Sequence, residues 1–408
     1  MTRREWTSIG VVMLAALAVL ILLRSPLGLV EDQITRLRYG VRGSGKADTN
    51  IVVIYIDQGA LRSLHWPVRR NFYGLMLKAL SDLHVRAVGI EAFFEDQNPE
   101  YPEYDDLLTR MCALSGNVVL TSYFDAVVPQ GPAPGRDSLP AGMFDYPAVL
   151  EDVPSGSRPH MPFAPLRGSS AGIGHVNLGD NCRIDLFLGD GEARVPAFGL
   201  EVARVYYGAA RSGVVCRGST IQFRREAATT SIATTTAGSV TVNIPGKMGS
   251  FTAYPFMEVL RAYDALRTER SPALPVASLH GKIALIGLIA EGRSVFVPTP
   301  ADPRLPAILL HASLIDNMLE DRFIVVTPFW ITVLVSLFAG LLSAAAAVML
   351  RSPWNRWALV CLPLLLITIS MGLFLASAVI FPLGSAAGLF DGRANEDARL
   401  RRAEKRLR

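Results

Sequence analysis

Hydrophobic residues concentrate at the two ends of the chain, and the long region between them alternates apolar and polar positions. The first apolar run is Ile9 to Leu23, with arginines on both sides. A second apolar block covers residues 328–390 and is interrupted mainly at 351–356. Apolar runs of this kind are typical of membrane-spanning helices. The pattern therefore predicts a globular region held between membrane anchors.

Residues 1–27 are predicted to form a short cytoplasmic N-terminus and the first transmembrane helix. The apolar run also has the length of a signal-peptide core, about 15 residues. However, residues 22–27 (LLRSPL) lack a small-x-small cleavage site. If Arg24 reaches toward the headgroups, the span extends to about 20 residues. We therefore expect an uncleaved anchor.

The second apolar block is interpreted as three transmembrane helices. A single helix over 357–390 would measure about 51 Å, against a hydrocarbon core of about 30 Å. It would also export the basic tail 391–408, whereas a hairpin keeps this tail on the side of Arg351 and Arg356. A re-entrant hairpin is the alternative left open. The three spans are placed at about 328–350, 357–375 and 376–390.

Basic residues near the predicted spans set the orientation, because lysine and arginine are retained on the cytoplasmic side. Both termini, including the tail 391–408, are therefore predicted to be cytoplasmic. Residues 28–327 are predicted to lie outside a bacterial inner membrane. The formal net charge of +4 is small, so nucleic acid is not expected as a partner. The expected partners are the lipid bilayer, an unknown small-molecule or protein cue, and a second copy or another protein that carries the output.

The central region shows strands alternating with helices. β-branched runs such as Ile51 to Ile56 mark strands buried on both faces. Helical spacing separates them, which is the pattern of βαβ units. The predicted fold class is α/β, a mostly parallel sheet with helices on both faces, plus transmembrane helices. Strands are predicted at 51–56, 85–90, 117–121 and 282–287, and helices at 72–83, 105–114, 197–207 and 308–319.

Two stretches interrupt this alternation. Residues 127–170 are rich in proline, glycine and serine and are predicted to form a long surface excursion. Residues 220–223 and 240–244 are predicted to pair as two strands around a threonine-rich turn.

Motifs for enzymes and cofactors are absent from the sequence. There is no GxSxG, HExxH, CxxC metal spacing or phosphate-binding loop, and the six histidines are scattered. We therefore expect no catalytic activity, no metal and no cofactor in this chain. Cys182 and Cys216 lie in loop-like stretches of an oxidising compartment, so whether they form a disulfide is left open.

A candidate ligand site involves Asp57 and Glu91. Each residue ends a predicted parallel strand, and open α/β sheets bind ligands at the carboxyl ends of their strands. We expect a polar or cationic ligand there, with Asp316 nearby. The alternatives are that Asp57 caps the following helix and that Glu91 pairs with Arg69 or Arg70.

Two further groups allow both a functional and a structural interpretation. Trp66 and Arg69 present an aromatic ring and a guanidinium to a ligand, unless Trp66 packs beneath the sheet. His311 and Asp316 diverge by about 140° on a helix, so they do not chelate a metal together. A structural histidine is the favoured interpretation.

Five sequence motifs in a shared order resemble the second-type CHASE domains, the cyclase/histidine-kinase-associated sensory extracellular family. The resemblance covers about residues 28–327 and implies a sensory domain. It adds Asn177 and Asn317 to the candidate ligand-binding residues. The family usually has Asp where this chain has Glu91, and a DxDGxxR-like segment is reduced to DNCR at 180–183. The motifs are IVVIYID at 51–57, HWPVR at 65–69, VGIEAFF at 88–94, GKIALIG at 281–287 and HASLIDNML at 311–319.

The expected function is that of a transmembrane receptor whose outer domain detects an unknown cue. The signal passes to a partner or to an output domain that is missing from this chain. One alternative is a membrane scaffold whose outer domain binds a protein partner. Another is the input half of a membrane-bound adenylate or guanylate cyclase or histidine kinase.

Overall fold

The computed structural model describes a long central region and a few separate residues nearer the C-terminus. The described residues are 24–128, 139, 144, 146, 148–149, 153–179, 182–190, 193–217, 220–224, 229–233, 238–326, 334, 338, 371–373, 375 and 379–380. The chain divides into two compact units, residues 44–323 and residues 1–43 together with 324–408. Each unit is described by itself.

Eight helices are assigned to the described residues. Their bounds are α1 (Arg24–Arg42), α2 (Gln58–Leu64), α3 (Arg70–Asp82), α4 (Pro102–Ser115), α5 (Ala164–Ser169), α6 (Phe198–Tyr207), α7 (Phe256–Arg267) and α8 (Ala307–Glu320). Single turns of 3-10 helix occur at Arg211–Gly213, Met248–Ser250 and Val276–Leu279.

The strands are numbered in chain order. They are β1 (Ile51–Asp57), β2 (Ala87–Glu91), β3 (Val118–Val128), β4 (Ala148–Val149), β5 (Ser155–His160), β6 (Gly172–His175), β7 (Arg183–Asp185), β8 (Phe187–Asp190), β9 (Ala193–Pro196), β10 (Val214–Arg217), β11 (Thr220–Arg224), β12 (Thr229–Ala233), β13 (Ser239–Thr241), β14 (Thr252–Pro255), β15 (Ile283–Ile289), β16 (Phe296–Val297), β17 (Leu305–Pro306), β18 (Val325–Val326) and β19 (Val379–Ile380).

A parallel sheet forms the centre of the unit 44–323. Its strands run in the order β14-β1-β15-β2-β3-β6, and every neighbouring pair is parallel. The second half of β3 pairs with β5 in antiparallel register, and β8 and β9 continue this side of the sheet. The strand β15 lies between β1 and β2, although it comes last in the chain.

Helices cover both faces of the sheet. On one face, Ile54 and Ile56 share a buried core with Met76 of α3 and Phe256 of α7. On the other face, glycines let helices approach closely, because a Cβ on Gly89 would lie 2.7 Å from the ring of Phe198 in α6. The chain thus has the mixed α/β sheet with helices that the sequence predicts.

The predicted pairing of 220–223 with 240–244 is wrong. β11 pairs with β10 and β12 instead, and β13 pairs with β7. The threonine-rich stretch supplies β12, because β-branched threonines favour extended backbone over a long turn. Part of the predicted excursion 127–170 is also regular, since β5 and α5 fall within it.

The predicted membrane spans fall mostly outside the described residues. This holds for residues 9–23 and for nearly all of 328–390. Among the residues that the structure describes, no helix combines the length and the apolar character needed to cross a membrane. In the unit 1–43 with 324–408, the described elements include α1 and the parallel pair of β18 with β19.

Candidate functional site

The carboxyl ends of β1, β15 and β2 form a topological switch point, which we call the carboxyl edge. Tyr55, Gly287 and Glu91 lie side by side in register across these strands. After β1 the chain turns to α2 and α3 on one face, and after β15 it continues to α8 on the other. Open α/β sheets place their ligand crevice where neighbouring strands diverge in this way.

Asp57 caps a helix at this edge. Its Oδ1 atom accepts a hydrogen bond of 2.7 Å from the backbone N–H of Ala60, in the first turn of α2. The capping alternative is therefore the arrangement that the structure has. A capping carboxylate satisfies one of the free N–H groups at the start of a helix.

Glu91 lies over a gap left by a glycine. A Cβ on Gly287 would be 3.0 Å from Glu91 Oε2 and 2.9 Å from Ile308 at the start of α8. The expected alternative, an ion pair with Arg69 or Arg70, is wrong. Arg70 pairs with Asp105 at 2.6 Å.

The Glu91 carboxyl has no hydrogen bond or ion pair to any residue that the structure describes. Burial raises its pKa to about 8. The residue keeps partial contact with solvent at the sheet edge, although its surroundings are densely packed. At pH 7 the carboxyl is therefore mostly protonated, so it offers one O–H donor and an acceptor oxygen.

Trp66 and Arg69 form separate surface contacts. Trp66 is 47% exposed, and the guanidinium of Arg293 lies 4.9 Å from its ring centre. The interpretation that Trp66 packs beneath the sheet is therefore wrong. Arg69 precedes α3 and lies 5.2 Å from the ring centre of Tyr101. Neither of these contacts includes Asp57 or Glu91.

Asn177 binds backbone. Its Oδ1 accepts from the N–H of Phe124 at 2.9 Å, and its Nδ2 donates to the Phe124 carbonyl at 2.7 Å. The side chain thereby extends the pairing of β3 beyond the end of β6. Both polar atoms of Asn177 are used in this contact, so it supports the sheet rather than facing a ligand.

Asp316 and Asn317 lie at the opposite edge of the sheet. Asp316 Oδ1 accepts a 2.7 Å hydrogen bond from the N–H of Asp48, which precedes β1. The seven residues of β1 separate Asp48 from the carboxyl edge by roughly 20 Å. The expectation that Asp316 lies near Asp57 and Glu91 is therefore wrong, because α8 runs antiparallel to the strands.

A cluster that sequence reasoning missed lies beyond Glu91 at the carboxyl edge. His160 Nδ1 lies 2.7 Å from Glu95 Oε2, and His160 Nε2 lies 2.9 Å from Asp125 Oδ1. The ring of Tyr123 stacks on His160 with centroids 4.1 Å apart. These residues are distant in sequence, so no spacing motif marks them.

Two further polar groups are buried in the unit 44–323, namely His311 and the ion pair of Arg204 with Glu201. His311 is fully buried beside Phe198, with ring centroids 5.5 Å apart. Arg204 binds Glu201 with two hydrogen bonds of 2.7 and 2.9 Å, and Tyr146 donates to the same carboxylate. The ion pair joins α6 to the Ala171 carbonyl, 2.9 Å from Arg204. The Arg204–Glu201 pair thus links α6 to the start of β6, whereas both ring nitrogens of His311 are buried without a hydrogen-bond partner among the described residues.

Cys182 carries a free, buried thiol. Burial raises its pKa to about 12. Of the two states that the sequence leaves open for this residue, the structure has the unpaired one. The side chain of Cys216 lies outside the described residues. Within the described ranges, no group of histidine, cysteine, aspartate and glutamate is arranged to hold a metal ion.

Comparison with known proteins identifies a family. The family model described as "CHASE2 domain" matches residues 10–348, which is more than half of the 408 residues. No curated protein and no solved structure matches the chain.

Proposed function

The chain belongs to the CHASE2 domain family of sensory domains, and we propose that it is a transmembrane sensor that binds its cue at the carboxyl edge, beside Glu91. The family membership supports the sensory role. The binding position is our own proposal. It rests on the geometry of the edge rather than on any related protein.

The observation that carries this position is the unpaired carboxyl of Glu91. A densely surrounded carboxyl without a partner among the described residues is energetically costly in its charged form, because burial removes part of its hydration. Perturbed groups of this kind concentrate at functional sites. The missing side chain at Gly287 leaves the space in which the carboxyl lies.

The chemistry of Glu91 suits a polar or cationic cue. In the protonated state, the carboxyl donates one hydrogen bond to a neutral acceptor. An ammonium or guanidinium group instead favours the ionised carboxylate and displaces the proton. A cationic cue is therefore expected to release a proton when it binds near pH 7.

Signalling requires that binding at the carboxyl edge changes the arrangement of the helices on either side of the domain. We propose that residues 28–327 lie outside the inner membrane, that both termini are cytoplasmic, and that a partner or second copy carries the output. A route for transmission within the domain is provided by the fastening of α8 to Asp48 through Asp316. This contact ties the last helix of the unit to its first segment, so displacement of one is transmitted to the other.

The binding proposal is tested with the purified full chain by thermal unfolding against a panel of amines, guanidines and neutral polyols. The variants are Glu91→Gln and a matched control, Glu100→Gln, which removes an exposed carboxylate on the segment after β2. We expect at least one probe to raise the unfolding temperature of the wild type and the control but not of Glu91→Gln. Equal stabilisation of all three proteins would contradict the Glu91 site.

The topology is tested separately with reporter fusions after residues 200, 353 and 400. We expect an outer signal at 200 and cytoplasmic signals at 353 and 400. An outer signal at 400 would contradict the four-span arrangement. A protein that co-purifies stably, in the absence of stabilisation by any probe, would favour the scaffold alternative.

A further inference from the structure

The cluster of His160, Glu95 and Asp125 joins three parts of the carboxyl edge; we call it the carboxylate clasp. Glu95 follows β2, Asp125 lies in β3 and His160 ends β5. Ile90 pairs with Leu120, and Glu95 and Asp125 each come five residues after a member of this pair. His160 pairs in register with Tyr123 of β3. The clasp therefore connects the segment that leaves Glu91 to the antiparallel pair of β3 and β5.

The hydrogen bonds of the clasp depend on the protonation state of His160. Its two ring nitrogens face two different carboxylates at 2.7 and 2.9 Å. A neutral imidazole has one N–H donor, so it satisfies only one of them. An imidazolium donates to both. The geometry of both contacts therefore selects the protonated ring.

The charged and titratable groups around His160 come from every neighbouring element. Glu95 and Asp125 face the ring nitrogens, Tyr123 stacks on the ring, and Arg158 lies 3.9 Å from Asp125. Burial opposes protonation, but the two carboxylates outweigh it, so the pKa of His160 is raised above its ordinary value. The side chain of His160 is 29% exposed, so it exchanges protons with solvent directly.

We propose that the carboxylate clasp is a pH-responsive fastening of the carboxyl edge, closed while His160 is protonated and loosened when His160 loses its proton. Loss of the proton removes the imidazole donor from one of the two carboxylates and takes a positive charge away from the edge. The remainder of the segment stays anchored, because Phe163 N–H donates to the Phe94 carbonyl at 2.8 Å. The change is therefore confined to the Glu95 side chain and to the antiparallel pair of β3 and β5.

The sign of the pH effect follows from the raised pKa. A histidine whose pKa is higher in the folded state stabilises the fold below its unfolded pKa of about 6.5. This stabilisation is lost as the pH rises through the folded pKa. While Glu95 and Asp125 are ionised, the clasp is therefore closed below the pKa of His160, and it loosens as the pH rises through that pKa.

The test is a histidine titration of the full chain, labelled with 13C at the imidazole ring, with the His160 signal assigned from His160→Gln. We expect the pKa of His160 to lie above 6.5 and to fall in both Glu95→Gln and Asp125→Asn. The matched control is Asp96→Asn, which removes the carboxylate next to Glu95 and leaves the clasp intact. A His160 pKa that is unchanged in both clasp variants would overturn the proposal.

Amide hydrogen exchange supplies a second readout that needs no cue. In the wild type, protection of the antiparallel pair of β3 and β5 is expected to fall by up to about fivefold as the pH rises through the His160 pKa, in line with exposed charge pairs. In His160→Gln, this part of the fall is expected to be absent after correction for intrinsic exchange, and only the pH dependence that Glu91 and the other titrating groups contribute remains. Equal pH dependence in both proteins would overturn the fastening role. Neither the His160 titration nor the difference in exchange between the two proteins depends on Glu91, so failure here and failure of the cue site are distinguishable.

Discussion

Asn317 holds the backbone of Asn243 with both polar atoms of its side chain. The N–H of Asn243 donates to Asn317 Oδ1 at 2.7 Å, and Asn317 Nδ2 donates to the Asn243 carbonyl at 2.8 Å. The Asn317 side chain therefore gives Asn243 the two backbone hydrogen bonds that a neighbouring strand would provide in a sheet. The preceding residue of α8, Asp316, binds Asp48 in the same region. Two consecutive side chains thus fasten two distant segments to one helix.

Asn317→Asp is expected to destabilise the unit by about 1–3 kcal/mol, because a carboxylate has no donor for the part-buried Asn243 carbonyl. The measurement is the urea midpoint of unfolding of the full chain. The control is Asn98→Asp, at a partly exposed position whose Oδ1 accepts from Glu100 N–H; we expect less than about 0.5 kcal/mol there. An equal loss in both variants would show that the clamp on Asn243 contributes nothing.

Glu91 is expected to make the fold less stable as the pH rises. Its pKa is raised from 4.5 to about 8 by burial, so the folded state binds more protons than the unfolded state between these values. Stability is therefore lost from about pH 4.5 upward and levels off above pH 8. Glu91→Gln mimics the protonated carboxyl and is expected to be more stable than wild type at pH 8.5, on the order of 1–3 kcal/mol.

The measurement for Glu91 is the unfolding midpoint of the full chain at pH 5 and pH 8.5. We expect the wild type and Glu91→Gln to differ little at pH 5 and clearly at pH 8.5. Glu100→Gln again serves as the matched control and should follow the wild type at both values. Parallel pH profiles of the wild type and Glu91→Gln would contradict the assignment of a neutral carboxyl to Glu91.

His311 is expected to produce the opposite pH dependence. Burial lowers its pKa to about 4, so the unfolded state binds more protons between about 6.5 and 4. Stability is present above pH 6.5 and is lost as the pH falls through this interval. The pKa of His175 is also lowered, to about 3, mainly by burial and to a smaller extent by the charge of the nearby His311. This second histidine adds to the loss of stability in acid.

His311→Leu is expected to flatten the acid limb of the stability profile, because leucine has no proton to bind. The matched control is His280→Leu, at an exposed position, which should leave the acid limb unchanged. The measurement is the unfolding temperature of the full chain between pH 4 and pH 7. An unaltered acid slope in His311→Leu would refute the role of this histidine.

Gly287→Ala is expected to disturb the carboxyl edge directly. The new methyl group would lie 3.0 Å from Glu91 Oε2 and 2.9 Å from Ile308. Overpacking of this kind costs about 1–3 kcal/mol, and the displaced carboxyl should no longer bind a probe that stabilises the wild type. Gly249→Ala is the control, because nothing lies within 4 Å of its added Cβ. Thermal unfolding with and without the probe distinguishes these effects.

The parallel sheet was accessible from sequence because its strands are uninterrupted apolar runs. Ile51–Asp57 and Ile283–Ile289 are buried along most of their length, and such runs need no knowledge of their partners to be recognised. The predicted carboxyl ends of β1 and β2 also placed Asp57 and Glu91 correctly at the ends of their strands. In each case the hydrophobic pattern of the segment itself was sufficient to predict the strand and its end.

The remaining features depend on contacts between residues far apart in the chain. His160 meets Glu95 across 65 positions and Asp125 across 35, and no local pattern encodes these pairs. Asp316 was placed at the wrong edge because the direction of α8 relative to the strands is a tertiary property. The error at 220–223 was of another kind, since several nearby segments have similar β propensity and compete as partners.

The position of β15 between β1 and β2 has a consequence for synthesis of the protein. Residues 283–289 supply the middle of the sheet, whereas both of its neighbours are complete by residue 91. On the ribosome, β1 and β2 therefore wait for nearly two hundred further residues before the strand that joins them emerges. Pairings this distant in sequence form slowly, and apolar strand edges exposed in the meantime are prone to aggregation. The domain is therefore expected to need protection by chaperones until its last third has been made.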